Sequence, residues 1–138
     1  MTDENGLFLT DLENLQPSQL YISREKLTKV QSMYDFSKPF GITPIPVKDL
    51  DGMEVMTDGH TRALAAYLAG VSELPTYADP DDLDWDAYRI CVAWCHEADI
   101  YHIADLAARV VNPEDYQHLW YDRCQAMQSD LAKKRRLD

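Results

Sequence analysis

Apolar positions change their spacing twice along this chain. In "NLQPSQLYISREKLTKVQSMYDF" an extended stretch gives way to helical spacing, with Leu27, Val30 and Met33 or Tyr34 recurring three or four positions apart. Ser23 is the predicted N-cap of that helix, and Glu25 falls in its first turn. "TPIPVKDL" and "MEVMTD" then read as two short strands joined at Asp51-Gly52, a two-residue hairpin signal. Pro44 and Pro46 put the first of these strands at a sheet edge or at its own start, because proline donates nothing to a ladder. An Ala-rich helix is expected from Thr61, with Gly70 as its left-handed exit residue, and "SELPTYAD" returns as a strand.

Past residue 80 the period becomes helical throughout. Five aspartates within residues 79–86 form a linker and the acidic start of a helix; their spacing matches no calcium loop. Trp85, Tyr88, Cys91 or Val92, and Cys95 lie on one stripe of that helix. "IADLAARVV" reads as a short helix. A last helix opens with Asn112 as cap and Pro113 in its first turn, and carries Tyr116, Leu119, Trp120, Met127 and Leu131 on its buried face. The expected organisation is a mixed α+β unit over residues 1–80 and an all-helical extension over 81–138 packed on it.

Charge narrows the choice of partners. The chain of 138 residues carries a net charge of −11, spread evenly: 6 Lys and Arg against 12 Asp and Glu up to residue 80, and 7 against 12 thereafter. Duplex DNA binding draws most of its affinity from neutralised phosphates, so this balance argues against DNA as a partner. The one basic run, Lys133 to Arg136, reads as cations in the last turn of a helix. The acid-rich N-terminus has no secretory pattern, no apolar run reaches the roughly 18 residues of a membrane span, and three cysteines are an odd count; a cytoplasmic chain with reduced thiols is expected. Cys91, Cys95 and His96 lack the second close pair that a structural zinc site needs and read as core residues, as do the three tryptophans. Apolar faces on the C-terminal helices leave room for a homodimer.

The densest chemistry lies in "TDGHTR", between a strand and a helix. An ordinary connection needs a turn residue and a cap; this one has Asp58, Gly59, His60, Thr61 and Arg62 in succession. The first turn of a helix has unpaired N–H groups and partial positive charge, so it attracts phosphates. Gly59 lets a ligand approach the backbone, Thr61 can cap the helix or bond a phosphate oxygen, Arg62 offers a planar fork, and His60 adds a donor. Asp58 fits either as a helix cap or as a ligand of a divalent cation that bridges it to phosphates. The same residues also fit a plain loop, and no Walker pattern is present.

"TDGHTRALAAYLAGVSELP" resembles the nucleotide-binding motif of the ParB/sulfiredoxin superfamily, in which a strand enters a polar Gly-containing turn, an Ala-rich helix and a G-x-x-x-x-P exit. "LQPSQLYISREKL" is similar to the opening of the free serine kinase branch, and the resemblance covers roughly residues 8–80. It implies a small mixed sheet with helices that binds ATP or ADP with Mg²⁺, and a phosphotransferase acting on a small hydroxyl-bearing substrate such as free serine. The implied roles are phosphate binding by Gly59, His60, Thr61 and Arg62, Mg²⁺ binding by Asp58, and catalysis by Asp58 and Glu25, the latter as proton acceptor; Glu25 is equally a favourable acid in a helix's first turn. The turn has no cysteine of the sulfiredoxin kind and no Glu-Arg-Arg of the partition proteins. The segment after residue 80 is shorter than in the serine kinases and unlike theirs. The alternative is a non-catalytic ParB-like partition or DNA-associated regulatory module, or a ParB-like nuclease.

Overall fold

The computed structural model describes residues 7–38 and 41–137; the acidic stretch 1–6 of the reading above lies outside them. In chain order the elements are β1 (Phe8–Asp11), β2 (Ile22–Ser23), α1 (Arg24–Met33), β3 (Ile45–Leu50), β4 (Met53–Met56), α2 (His60–Leu68), β5 (Glu73–Ala78), α3 (Trp85–Glu97), β6 (Val110–Val111), α4 (Pro113–Tyr116) and α5 (Asp122–Leu137). Among the described residues the strands make a four-stranded sheet in the order β1-β5-β3-β4 and a two-stranded one of β2 and β6. The architecture is mixed α+β, with a C-terminal helix.

The predicted hairpin is present. β3 and β4 pair antiparallel from Val47–Met56 to Leu50–Met53, and Asp51 and Gly52 both take positive φ, 55° and 85°. That is the mirror-image turn whose twist matches the strands. β3 is an interior strand, however, with β5 parallel on its other side. Pro46 is tolerated there because it is the second residue of the strand, and its carbonyl still accepts from Thr57 N at 3.1 Å. The free edge of β4 is covered by the buried Gln16: Gln16 N donates to Glu54 O at 2.8 Å, and Gln16 O accepts from Met56 N at 2.9 Å.

Ser23 caps α1 by accepting from Lys26 N, as the pattern predicts. α2 ends in a Schellman arrangement, with Val71 N donating to Ala66 O and Gly70 N donating to Tyr67 O, and Gly70 at φ 87°. Ala63, Leu64, Ala65 and Ala66 are buried in α2, and the small alanines let the helix lie close to α1 and to the 3₁₀ turn Ile103–Arg109.

The C-terminal part departs from the expected three plain helices in two places. "IADLAAR" is a 3₁₀ turn, and Val110–Val111 then pairs parallel with Ile22–Ser23, so strand structure does recur past residue 80. The last helix is continuous but widens to a π segment over Gln117–Tyr121. The extra residue in that turn rotates Leu119 outward, where it is 41% exposed, while Tyr116, Trp120 and Met127 stay buried. One core cluster takes Leu12, Leu15, Ile45 and Leu64 from the first half and Cys95, Ile103, Leu106, Trp120 and Met127 from the second. Arg135 in the last turn of α5 reaches Asp84, the N-cap of α3, with two bonds of 2.8 and 3.0 Å.

Candidate functional site

Asp58 to Arg62 leave β4 and enter α2. Gly59 sits at φ 81°, ψ 19°, and the helix begins at His60, one residue before the expected start. No side chain caps it: neither Thr61 nor Asp58 takes that role, so the cap reading of both residues is set aside. The first intrahelical bond runs from Ala63 N to Gly59 O. The amides before it are the kind a helix leaves for a ligand. A Cβ on Gly59 would lie 2.7 Å from Arg62 Nη2 and from Ile45 Cδ1, so those side-chain ends would have to shift, and the left-handed backbone itself favours glycine.

These residues open onto a cavity of about 490 Å³. Lys26 and Lys29 of α1 face Asp58–Arg62 across it, and Tyr116, Trp120 and Tyr121 form its far wall. Lys26 Nζ lies 5.1 and 5.0 Å from the ring centroids of Tyr116 and Tyr121 and donates to the Tyr121 hydroxyl. Those contacts hold a flexible cation in one place. Arg62 donates from Nη2 to Pro44 O at 3.3 Å, while its Nε is buried with no hydrogen-bond partner. A buried guanidinium nitrogen without an acceptor is costly.

His60 is a different kind of group from the charged donor the sequence allows. It is 5% exposed, and its Nε2 accepts from Ser18 N at 2.9 Å, which leaves the ring proton on Nδ1. Burial lowers its pKa to about 4; Asp58 opposes that shift and Arg62 adds to it. His60 is neutral at physiological pH and pins the turn to the segment before β2. Glu25 also departs from its expected place. Lys26, Lys29, Val30 and Met33 share the stripe of α1 that faces the cavity; Glu25 precedes this stripe, is exposed, and pairs with Lys29 at 3.6 Å. Its side chain does not line the cavity.

A second cavity of about 340 Å³ adjoins the first on the side of α3 and α5. Gln19, Asp58, His60 and Trp120 line both. Tyr88 crosses between the two layers, its hydroxyl donating to Thr57 O at 2.8 Å, and its pKa is pushed up to about 12, mainly by burial and then by Asp58 and Asp79. Cys91 and Cys124 meet in this wall as free thiols, the Cys91 thiol hydrogen-bonded to the Cys124 sulfur. Among the described residues no three His, Cys, Asp or Glu side chains converge to hold a metal ion. The two lysines, Gln19 and the aromatic wall escaped sequence reasoning. Lys26 and Lys29 follow the helical stripe and could have been placed by it; Tyr116, Trp120 and Tyr121 come from a helix about 50 residues downstream, with no local signal.

The described residues thus define a mixed α+β protein with a cleft at the N-terminus of α2 that is lined by two lysines and an arginine. No family model and no curated protein matches the chain. Among solved structures it is similar to protein Atu1540 from Agrobacterium tumefaciens, with a TM-score of 0.50 and 18% identity over 72% of this chain and 60% of that one. It also aligns with the C-terminally truncated SbnI from Staphylococcus aureus, at TM-score 0.46 and 19% identity, covering 56% of this chain and 32% of that one. The chain therefore spans less than two thirds of either protein. At these identities the likeness concerns the fold alone.

Proposed function

We propose that this chain is a small ParB-like, nucleotide-binding phosphotransferase that moves a phosphoryl group to a hydroxyl such as that of free serine. One observation supports the reading above all: the uncapped N-terminus of α2 opens into the same cavity as Lys26, Lys29 and Arg62. Amides, a guanidinium and two ammonium groups converging on one space suit a polyphosphate, and phosphoryl transfer depends mostly on such charge neutralisation and alignment. The resemblance of "TDGHTRALAAYLAGVSELP" to a nucleotide-binding motif points the same way.

In this reading ATP or ADP supplies the phosphoryl group. Lys26, Lys29, Thr61 and Arg62 hold the phosphates with the amides of residues 60–62. Asp58 would hold Mg²⁺ together with phosphate oxygens, as that cation is usually bound. The ion when bound neutralises charge on the transferred group. His60 acts as a neutral brace, and Glu25, paired with Lys29 at 3.6 Å, stands outside the cavity. No helix among the described residues is long and apolar enough to cross a membrane, and the three thiols are free, in keeping with a cytoplasmic protein.

Calorimetric titration with ADP, ATP and CTP in the presence of Mg²⁺ tests the reading, followed by a phosphorylation screen of small hydroxyl compounds. Binding of one nucleotide in the range of about 1 µM to 1 mM typical of enzyme substrates is expected. No binding at millimolar nucleotide would remove the proposal.

A further inference from the structure

We propose that Cys91 and Cys124 are a redox-active pair that a peroxide converts to a reversible disulfide, tying α3 to α5 in the wall of the second cavity. The inference concerns a modification site and does not rest on the nucleotide-binding reading.

Small side chains mark the place where α3 meets α5. Ala87, Cys91 and Cys95 recur every fourth position along one face of α3, and all three are buried. Cys91 and Cys124 both line the second cavity, where the Cys91 thiol donates to the Cys124 sulfur. Contacts on either side of the two sulfurs hold the helices together. Trp94 meets the edge of Trp120 at 6.3 Å between ring centroids on one side, and Arg135 binds Asp84 at 2.8 and 3.0 Å on the other. The cavity gives a small oxidant a way in. Cys95 does not compete for the bridge. It lies four positions along the same helix as Cys91, where Cβ atoms stand about 5–6 Å apart, beyond the roughly 3.5–4.5 Å that a disulfide spans. Its thiol donates instead to Gln19 O at 3.6 Å.

The two thiols are unequal, which gives the reaction an order. Cys124 is half-buried; the bond it receives from Cys91, and then the Arg123 charge, lower its pKa, while the same bond and burial push the Cys91 thiol up. Cys124 is therefore the thiolate that attacks. Its sulfur bonds to one peroxide oxygen as the O–O bond breaks, and the other oxygen leaves as hydroxide and takes up the proton that Cys124 lost. The Cys91 sulfur then displaces hydroxide from the Cys124 sulfenic acid and gives its own proton to it as the S–S bond forms. The two thiols lose two electrons, and the peroxide is reduced to two waters. A small thiol reverses the bridge by exchange, as expected of a transient disulfide in a reducing compartment. Trp120 stands four positions before Cys124 and lines both cavities, so the bridge holds the wall that the two share.

The full chain, treated with a modest excess of hydrogen peroxide without denaturant, tests the pair. The free thiols are expected to fall from three to one, with a Cys91–Cys124 crosslinked peptide in a non-reducing digest and all three thiols regained in dithiothreitol. Cys91→Ser should halt the reaction at the sulfenic acid, so that dimedone labels Cys124, and Cys124→Ser should leave Cys91 unlabelled. Three thiols still titrating after peroxide, a Cys124–Cys124 crosslink between two chains, or dimedone on Cys91 in the Cys124→Ser variant overturns the inference. The unaltered chain supplies the decisive peptide map, so a variant that fails to fold leaves the test intact.

Discussion

At the scale of single residues, Arg62 and His60 stand two positions apart in the first turn of α2 and carry different electrostatic roles. Arg62 leaves Nε unpaired in a buried position. Arg62→Lys retains the charge and loses the planar fork, so nucleotide affinity is expected to fall about tenfold in calorimetry while the chain still folds. His60 is buried neutral with its pKa lowered to about 4 from an ordinary 6.5. Above pH 6.5 it is uncharged whether folded or unfolded and costs nothing. As pH falls from 6.5 towards 4 the unfolded chain takes up a proton that the folded one resists, and stability drops by roughly 3 kcal/mol in all, with no further loss from this group below about 4. Urea midpoints at pH 7 and pH 4.5 should show that drop, and His60→Gln, which can still accept from Ser18 N, should flatten it.

At the scale of elements, the start of α2 shows how one glycine sets a site. Its left-handed φ turns the chain from β4 into the helix, and its missing Cβ gives Arg62 and Ile45 their places. Gly59→Ala should cost about 1–3 kcal/mol in thermal or urea unfolding, and should weaken nucleotide binding by displacing Arg62. The π segment of the last helix does comparable work at the opposite wall. It turns Leu119 out of the buried face, and Tyr121 at its end stands against Lys26.

At the scale of the molecule, the boundary at residue 80 marks a change of composition rather than a gap in the core. Ile103, Leu106, Trp120 and Met127 complete a cluster begun by Leu12, Leu15 and Leu64, and β6 pairs with β2. Residues 1–80 expressed alone are therefore expected to lack a cooperative unfolding transition, whereas the full chain has one; circular dichroism during heating distinguishes the two. Such a fragment would also lose the aromatic wall of the first cavity and most of the second.

Local signals were enough for the hairpin at Asp51-Gly52, the Ser23 and Asn112 caps, the exit of α2 at Gly70 and the chemically dense turn at Asp58–Arg62, because each depends on neighbours within four residues. The helical stripe of α1 was also readable, though not which of its polar members would face a cavity. The sequence could not place Pro46 in an interior strand, turn Leu119 outward, pair Val110 with Ile22 or set Tyr121 beside Lys26. Those outcomes depend on contacts between residues distant along the chain, where burial and packing outweigh local preference. The same holds for Glu25 and Asp58: two acids alike in sequence, and only the packing of α1 against α2 put one carboxylate in the cavity wall and left the other outside it.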